Sequence, residues 1–305
     1  MDLYNLKSGK LEEVKNLPFK LEKDIQSLVE GNLEILFGLE FVTSEFQLNG
    51  LRIDSLGFDK QSKSFVIIEY KKRKNDSVID QGYSYLALLI NNKADFILEY
   101  QERTGLNLKR NEIDWSQSRV IFISPQFTTY QRKSIDFKDL PFELWEIKKY
   151  SNNTIALSQH KSVSQESVKS ISSKDNRAKE VSKEIVVYTE EDHFAKASDT
   201  LKELYEELKE KVSGIGDFDI NPLKHWINFK ASKKWIFDVE VQKARLKMRI
   251  NLNKGQLDDP KGLFRDVSHV GHFGYGDYEA PITSETDLDY LMSLIKQSYN
   301  YHNSQ

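Results

Sequence analysis

The chain has 305 residues, 39% of them hydrophobic and 11% aromatic, so it can bury the cores of about two ordinary domains and is not a wholly disordered protein. Its 44 basic and 47 acidic residues give a formal charge of −3, without the overall basic field that marks many nucleic-acid-binding proteins. The absence of cysteine excludes disulfides, thiolate metal sites and cysteine nucleophiles.

Segments of helical period alternate with short β-rich runs over residues 1–159, which predicts a mixed α/β domain. Apolar residues recur at helical spacing over Phe19–Phe37, and Gly38 supplies the helix end. β-like runs follow at Phe41–Gln47, Leu51–Phe58 and Ser64–Lys71. The continuous apolar run Phe65–Ile68 is typical of a central strand covered on both faces. Beyond it the sequence predicts a helix at Val78–Asn91 and strands at Arg119–Ile123 and Phe142–Ile147.

Residues 160–184 contain seven serines, no aromatic residue and only scattered valine or isoleucine. Such a segment buries too little apolar surface to offset its ordering entropy, which predicts a flexible linker. Residues 185–305 are expected to form a second, small α+β domain that begins with a long helix after the capping signal at Thr189. Strand-like runs at Trp226–Phe229, Trp235–Val241 and Leu246–Leu252 and a closing helix at Thr283–Tyr299 are predicted to follow.

The residues that indicate chemistry lie in two neighbouring predicted strands. Asp54 lies in the first, and Glu69 and Lys71 end the second. A charge at the end of a buried apolar strand is costly unless it has a partner or a metal. Glu69 and Lys71 are two positions apart and project from the same face, and a hairpin would bring Asp54 to them.

Two carboxylates and a lysine suit phosphodiester hydrolysis. Mg²⁺ takes oxygen ligands, and one or two carboxylates suffice when a substrate phosphate completes its shell. We therefore expect Asp54 and Glu69 to hold Mg²⁺ or Mn²⁺, with the Tyr70 backbone carbonyl as a further ligand. Lys71 would orient or deprotonate the attacking water and neutralise charge on the phosphate.

These residues and their flanks, RIDSLGFD…FVIIEYKKRK…VIDQGYSYL, resemble the PD-(D/E)XK nuclease superfamily, and in particular the catalytic region of archaeal and actinobacterial mismatch-type endonucleases. The resemblance covers about residues 20–100. It implies a restriction-endonuclease-like mixed sheet flanked by helices, and a metal-dependent DNA endonuclease of repair or of defence against foreign DNA. The superfamily's proline before the aspartate is replaced here by Ile53. The C-terminal run GHFGYGDYEAPITSETDLDYLMSLIKQSY resembles an uncharacterised domain found attached to nuclease-like modules.

The same resemblance implies further site residues. Members carry an acidic residue on the helix before the sheet, and Glu22 lies closest to the apolar stripe of that helix, with Glu45 a weaker candidate. Gln81-x-x-x-Tyr85 is similar to the Q-x-x-x-Y element of RecB-type nucleases, and its spacing stacks both polar groups on one helical face. Gln81 is expected to act in the active site and Tyr85 to contact DNA. The other residues expected to contact DNA phosphates are Arg52, Lys72, Arg73 and Lys74.

Each of these signals also has a simpler interpretation. An E-x-K pair on a strand is commonly a surface ion pair, Gln81 and Tyr85 could be a helix edge that meets the sheet, and a basic run is often a solvated strand end. A non-catalytic DNA- or protein-binding module with a nuclease-like fold therefore stays the alternative. The aromatic residues of the second domain, among them Trp235 and Phe237, are more typical of a core than of a base-stacking platform.

No stretch of the sequence approaches the ~20 apolar residues of a membrane-spanning helix, and the first fifteen residues have no apolar signal core. We therefore expect a soluble, cytoplasmic protein without a membrane partner. DNA is the expected partner, and a homodimer would let paired sites cut both strands. The acidic balance of residues 185–305, with 16 basic and 20 acidic side chains, favours a protein partner for that domain over nonspecific DNA binding.

Overall fold

The computed structural model describes residues 2–71, 77–162, 164, 166–167, 176–270 and 275–304. The chain divides into two compact units, Met1–Val187 and Tyr188–Gln305. Each unit has a hydrophobic core of its own. In the described part of the chain, no helix is both long and apolar enough to cross a membrane.

The first unit mixes strands and helices along the chain. Its strands are β1 (Leu3–Lys7), β2 (Lys10–Val14), β3 (Asn16–Leu17), β4 (Glu40–Leu48), β5 (Leu51–Asp59), β6 (Ser64–Tyr70), β7 (Arg119–Ser124), β8 (Phe142–Tyr150) and β9 (Ile155–His160). Its helices are α1 (Glu22–Glu30), α2 (Leu33–Phe37), α3 (Val78–Asn91), α4 (Lys93–Thr104), α5 (Thr129–Ser134) and α6 (Asn176–Glu184), with short 3₁₀ turns at Arg110–Glu112 and Trp115–Gln117.

Over the described ranges, seven strands form one mixed sheet in the order β3-β8-β7-β6-β5-β4, with β9 also paired to β8. β4, β5 and β6 are antiparallel neighbours, whereas β6, β7 and β8 run parallel. Every residue of β6 is buried, as expected for a central strand covered on both faces. The predicted fold class, a mixed sheet flanked by helices with a second small α+β unit, is confirmed.

Alternate residues of β6 enter two different cores. Phe65 and Ile67 pack into the core that contains α3 and α4, whereas Val66 and Ile68 pack with α1 and α2. Helix α3 lies close to the sheet at Gly82, where a Cβ atom would come within 2.6 Å of the Phe142 ring. Because the candidate site residues lie at the end of β6, the helices on both faces of the sheet pack against the strand that positions them.

The structure differs from the predicted linker in residues 176–184, which form α6. Ala178 and Val181, together with Ile185 just beyond the helix, are buried in the core of the first unit. These positions form an apolar stripe on one helical face, which the surrounding serine and lysine residues conceal in the average composition. The first unit therefore extends to Val187 instead of ending at residue 159.

The second unit contains the helices α7 (Glu190–Phe194), α8 (Asp199–Ser213) and α9 (Leu288–Asn303) and the strands β10 (Asp219–Pro222), β11 (Ile227–Ala231), β12 (Lys234–Val241), β13 (Leu246–Ile250), β14 (Arg265–Asp266) and β15 (Tyr278–Ile282). Its strands form an antiparallel sheet in the order β10-β11-β12-β13-β15-β14.

Two sequence-based expectations for the second unit have clear outcomes. The predicted single helix after Thr189 is instead two helices, because Ser198 caps a new one by accepting a hydrogen bond from Leu201 N. Trp235 and Phe237 are buried among core residues, which confirms that they belong to the core.

Candidate active site

The end of the β5–β6 hairpin brings Asp54 beside the last residues of β6. The two strands are in register from Asp59 opposite Ser64 to Ser55 opposite Ile68. Beyond that point the Tyr70 backbone N–H donates to Asp54 Oδ2 over 3.1 Å. The Asp54 carboxylate thus accepts a hydrogen bond from the β6 backbone just beyond the last regular strand pair. This bond fixes the position of Asp54 relative to β6.

Glu69 is held by donors from its own strand and from α3. Its Oε1 accepts from Lys71 Nζ at 3.0 Å and from Gln81 Nε2 at 2.7 Å. Its Oε2 accepts from the Tyr85 hydroxyl at 2.8 Å, and Gln81 Nε2 also lies 2.9 Å from that hydroxyl. The i,i+2 spacing on the strand and the i,i+4 spacing on the helix therefore bring all four side chains together.

Asp54 is in an environment that disfavours its charge. Burial, and next the negative charge of Glu69, raise the pKa of Asp54 to about 7 from the ordinary value of 3.8. The Tyr70 N–H works in the opposite direction, whereas the charges of Glu45 and Glu22 add to the increase. Glu69 and Asp54 are only 5% and 9% exposed, so the cluster carries more negative charge than its buried surroundings stabilise.

A divalent cation fits this donor set. Across the described residues, no group of three or more histidine or carboxylate side chains gathers as a metal site. Two carboxylates are nevertheless enough for Mg²⁺, because water and a substrate phosphate can complete its shell. The burial of both carboxylates fits such an ion, since a nearby cation would offset the cost of their buried charge. The Tyr70 hydroxyl lies 3.1 Å from Ser55 Oγ, within hydrogen-bond distance. Of the oxygen atoms of Tyr70, the backbone carbonyl is therefore the candidate metal ligand.

A groove of about 480 Å³ opens beside the cluster. The residues that line it are Leu51, Lys71, Ser77, Asp80, Gln81, Ser84 and Tyr85. Lys71 and Gln81, which both contact Glu69, thus also border a space that a substrate can enter.

Tyr85, which the sequence predicts to contact DNA, lines the groove and also contacts Glu69. The residue is 4% exposed, and its hydroxyl lies 2.8 Å from Glu69 Oε2 and 3.0 Å from the Arg52 carbonyl. A buried carboxylate needs hydrogen-bond donors, and a tyrosine hydroxyl on the facing helix supplies one. Tyr85 therefore belongs to the group that holds Glu69.

Two of the remaining predicted residues, Glu22 and Glu45, lie close enough to Asp54 for their charges to affect it. Glu22 is exposed at the first position of α1, and its charge reaches Asp54. Glu45 forms ion pairs with Lys23 Nζ at 3.3 Å and with Arg52 Nε at 3.0 Å. The other predicted phosphate contacts, which are Lys72, Arg73 and Lys74, lie outside the described residues.

A polar network behind β5 was not predicted from the sequence. Gln26 is 4% exposed, and its Nε2 lies 2.9 Å from the Asp54 carbonyl, 3.0 Å from Ser44 Oγ and 2.9 Å from Glu30 Oε1. Glu30 also accepts from Ser55 Oγ at 2.6 Å. The available signal was a glutamine next to the apolar stripe of α1, because a buried polar side chain has to find a partner.

Comparison with known proteins shows a full-length relative. The chain is 48% identical over 300 residues to an uncharacterised protein of Haemophilus influenzae, and the alignment covers 98% of this chain and 99% of that protein. The chain belongs to the same family as that protein. Residues 190–302, in the second unit, match a family described as "Domain of unknown function (DUF5655)". Neither description assigns an activity to the family.

Two solved structures resemble parts of the chain. One is a repair endonuclease from Pyrococcus abyssi, 20% identical, with 40% of this chain and 45% of that chain covered. The other is an EndoMS–dsDNA2 complex, 19% identical, with 45% of this chain and 54% of that chain covered. The chain thus spans about half of each, and both TM-scores are 0.24, too low to carry an argument.

Proposed function

We propose that the first unit is a metal-dependent endonuclease of the PD-(D/E)XK type that hydrolyses phosphodiester bonds in DNA. The observation that supports this is the convergence of Asp54 with Glu69 and Lys71 at the end of one buried hairpin. A structural ion pair would account for Glu69 and Lys71 alone. It would not account for a second buried carboxylate whose charge the same glutamate disfavours.

In this proposal the roles follow from the contacts. Asp54 and Glu69 hold Mg²⁺ or Mn²⁺, which when bound polarises the phosphate and neutralises its charge. Lys71 Nζ, 3.0 Å from Glu69 Oε1, donates to the phosphate or to the attacking water and offsets the developing negative charge. Gln81 and Tyr85 keep the Glu69 carboxylate in place. Glu22 is an auxiliary acid at the mouth of the site.

The test is cleavage of plasmid DNA and of mismatched or branched DNA by the full chain, with Mg²⁺, with Mn²⁺ and with EDTA. We expect cleavage only with metal, and a loss of at least about 100-fold in rate for Asp54→Asn, Glu69→Gln and Lys71→Ala. Lys149→Ala, which changes an exposed lysine on β8, is the matched control. Full activity of Lys71→Ala would refute the mechanism, and salt-sensitive DNA binding without cleavage would support the non-catalytic module instead.

Metal binding has a readout that does not depend on activity. A ligand that binds only the folded state stabilises it by about 2.7 kcal/mol at a hundred times its Kd. Mg²⁺ is therefore expected to raise the Tm of the wild type, and to raise that of Asp54→Asn much less. Equal shifts in the two proteins would argue against a metal at Asp54.

A further inference from the structure

We propose that Arg177, which helix α6 holds beside the substrate groove, binds a phosphate of the DNA there. The inference rests on the proposed nuclease function and extends it, because it adds a substrate-binding residue from outside the β-hairpin and α3. It also gives residues 176–184 a role in the first unit.

Helix α6 is held against α3, which borders the groove, and by an ion pair to α4. It packs against α3, and Val181 is 1% exposed in the core of the first unit. Two polar contacts accompany this packing: Arg177 Nη1 donates to Ser84 Oγ over 3.0 Å, and Glu184 forms an ion pair with Lys93. The packing of α6 against α3 therefore determines where Arg177 lies.

Ser84 places the Arg177 guanidinium at the groove. Ser84 lines it together with Gln81, one helical turn earlier on α3, and with Lys71. A DNA strand that reaches Lys71 through this groove would therefore pass the end of the Arg177 side chain. A guanidinium has five N–H donors in a planar fork that matches phosphate oxygens, which suits Arg177 to bind a phosphate that passes Ser84.

The charge of the groove also favours this assignment. The charged residues among its lining are Lys71 and Asp80, and Lys71 already pairs with Glu69. Among the residues that the structure describes, this lining has no excess positive charge, whereas binding to a DNA backbone depends on cations that replace the counterions of the phosphates. Arg177 supplies that positive charge on the α6 side.

Lys183 offers a matched control on the same helix. At about 100° per residue, Lys183 lies nearly opposite the stripe that contains Ala178 and Val181, and thus faces away from α3. It is exposed and carries the same charge as Arg177. An effect of overall charge would appear in both variants, whereas a phosphate contact in the groove would appear only at Arg177.

The experiment measures DNA binding by the full chain in EDTA at several salt concentrations, together with cleavage kinetics in Mg²⁺. For Arg177→Ala we expect a several-fold weaker affinity, a raised KM with little change in kcat, and a salt slope of log K that is shallower by about 0.7 to 0.9. Arg177→Lys should retain the slope, and Lys183→Ala should behave as the wild type. Thermal unfolding of each variant verifies the fold, and Arg177→Gln replaces Arg177→Ala if the latter is destabilised.

Two outcomes would overturn the inference while leaving the nuclease intact. In one, Arg177→Ala binds with the wild-type salt slope while the wild type cleaves DNA. In the other, Arg177→Ala and Lys183→Ala weaken binding equally. A wild type that neither binds nor cleaves DNA would instead overturn the proposed function, and the inference with it.

Discussion

Asp54 is positioned through both its side chain and its backbone. The carboxylate accepts from Tyr70 N on β6, and the backbone carbonyl accepts from Gln26 Nε2 on α1. A side chain that is held from two layers of the fold loses little further conformational freedom if it binds another group. The cost of this arrangement is a buried charge, and that cost can be measured.

We expect Asp54→Asn to stabilise the metal-free protein at pH 8. The folded state raises the pKa of Asp54 from 3.8 to about 7, so folding favours the protonated form. The wild type therefore loses stability as the pH rises from about 4 to about 7, and this loss persists above pH 7. One pKa unit corresponds to about 1.4 kcal/mol, and after allowance for solvent we expect a gain of about 1 to 3 kcal/mol.

Urea unfolding in EDTA at pH 8 and near pH 4 checks this expectation. The gain should be present at pH 8 and should shrink towards pH 4, where the folded wild type already carries a protonated Asp54. Asp95→Asn, a change at an exposed aspartate on α4, is the control. The same gain at both pH values would show that the charge of Asp54 is not its cause.

Gln26→Leu is expected to destabilise the fold around Asp54 and to lower the affinity of the site for Mg²⁺. The change removes the donor to the Asp54 carbonyl and leaves the buried partners of Gln26 without it, at a cost of about 1 to 3 kcal/mol. We also expect a lower affinity for Mg²⁺ in a titration of Tm against metal concentration. Ser27→Ala, an exposed change on the same helix, should alter neither quantity. Unchanged metal affinity in a destabilised Gln26→Leu protein would limit Gln26 to a structural role.

At the scale of elements, local patterns and the hairpin that contains Asp54 and Glu69 were predicted, whereas the contact between α1 and β5 was not. The predicted helix Val78–Asn91 is confirmed at both ends, with Ser77 at its N-cap. Glu69 with Lys71, and Gln81 with Tyr85, depend on spacing within one element, so the sequence alone could place each pair on one face. Gln26 and Asp54 are 28 positions apart, and no local period relates them.

Two of the elements that were not predicted, the β1–β2 hairpin and α6, were missed for opposite physical reasons. The β1–β2 hairpin has exposed residues on both faces and hence no clear alternation, although Ser8 and Gly9 adopt positive φ angles of 48° and 77° in its turn. Helix α6 has a stripe of buried apolar residues, but the residues between them in the sequence are polar. Average composition identifies neither kind of element.

Val181→Ala is expected to loosen the contact between α6 and α3. The residue is 1% exposed, and removal of two buried methyl groups should cost about 1 to 3 kcal/mol. Hydrogen exchange of the α3 amides measures this, because a less firmly docked α6 exposes them more often. Lys183→Ala should leave the exchange unchanged. If Val181→Ala also leaves it unchanged, residues 176–184 behave as the linker that the composition suggested.

At the scale of the whole molecule, each unit closes a hydrophobic core of its own. Residues 1–187 and residues 188–305 are therefore expected to fold as separate fragments, because neither core depends on residues of the other unit. A fragment of residues 1–159 should be markedly less stable than residues 1–187, since it lacks α6. Circular dichroism during heating compares the three fragments. Equal Tm values for residues 1–159 and 1–187 would contradict this division.

The absence of a side chain at Gly82 has a consequence for the whole first unit. A Cβ atom there would lie 2.6 Å from Phe142, so even a methyl group would push α3 outward from β8. Gln81 is the preceding residue, and Tyr85 lies one turn further along the same helix. Gln81 Nε2 lies 2.7 Å and the Tyr85 hydroxyl 2.8 Å from the Glu69 carboxylate oxygens. Both distances thus depend on how closely α3 packs against the sheet. The lack of a Cβ atom at Gly82 therefore allows the close packing of α3 on the sheet that these hydrogen bonds require.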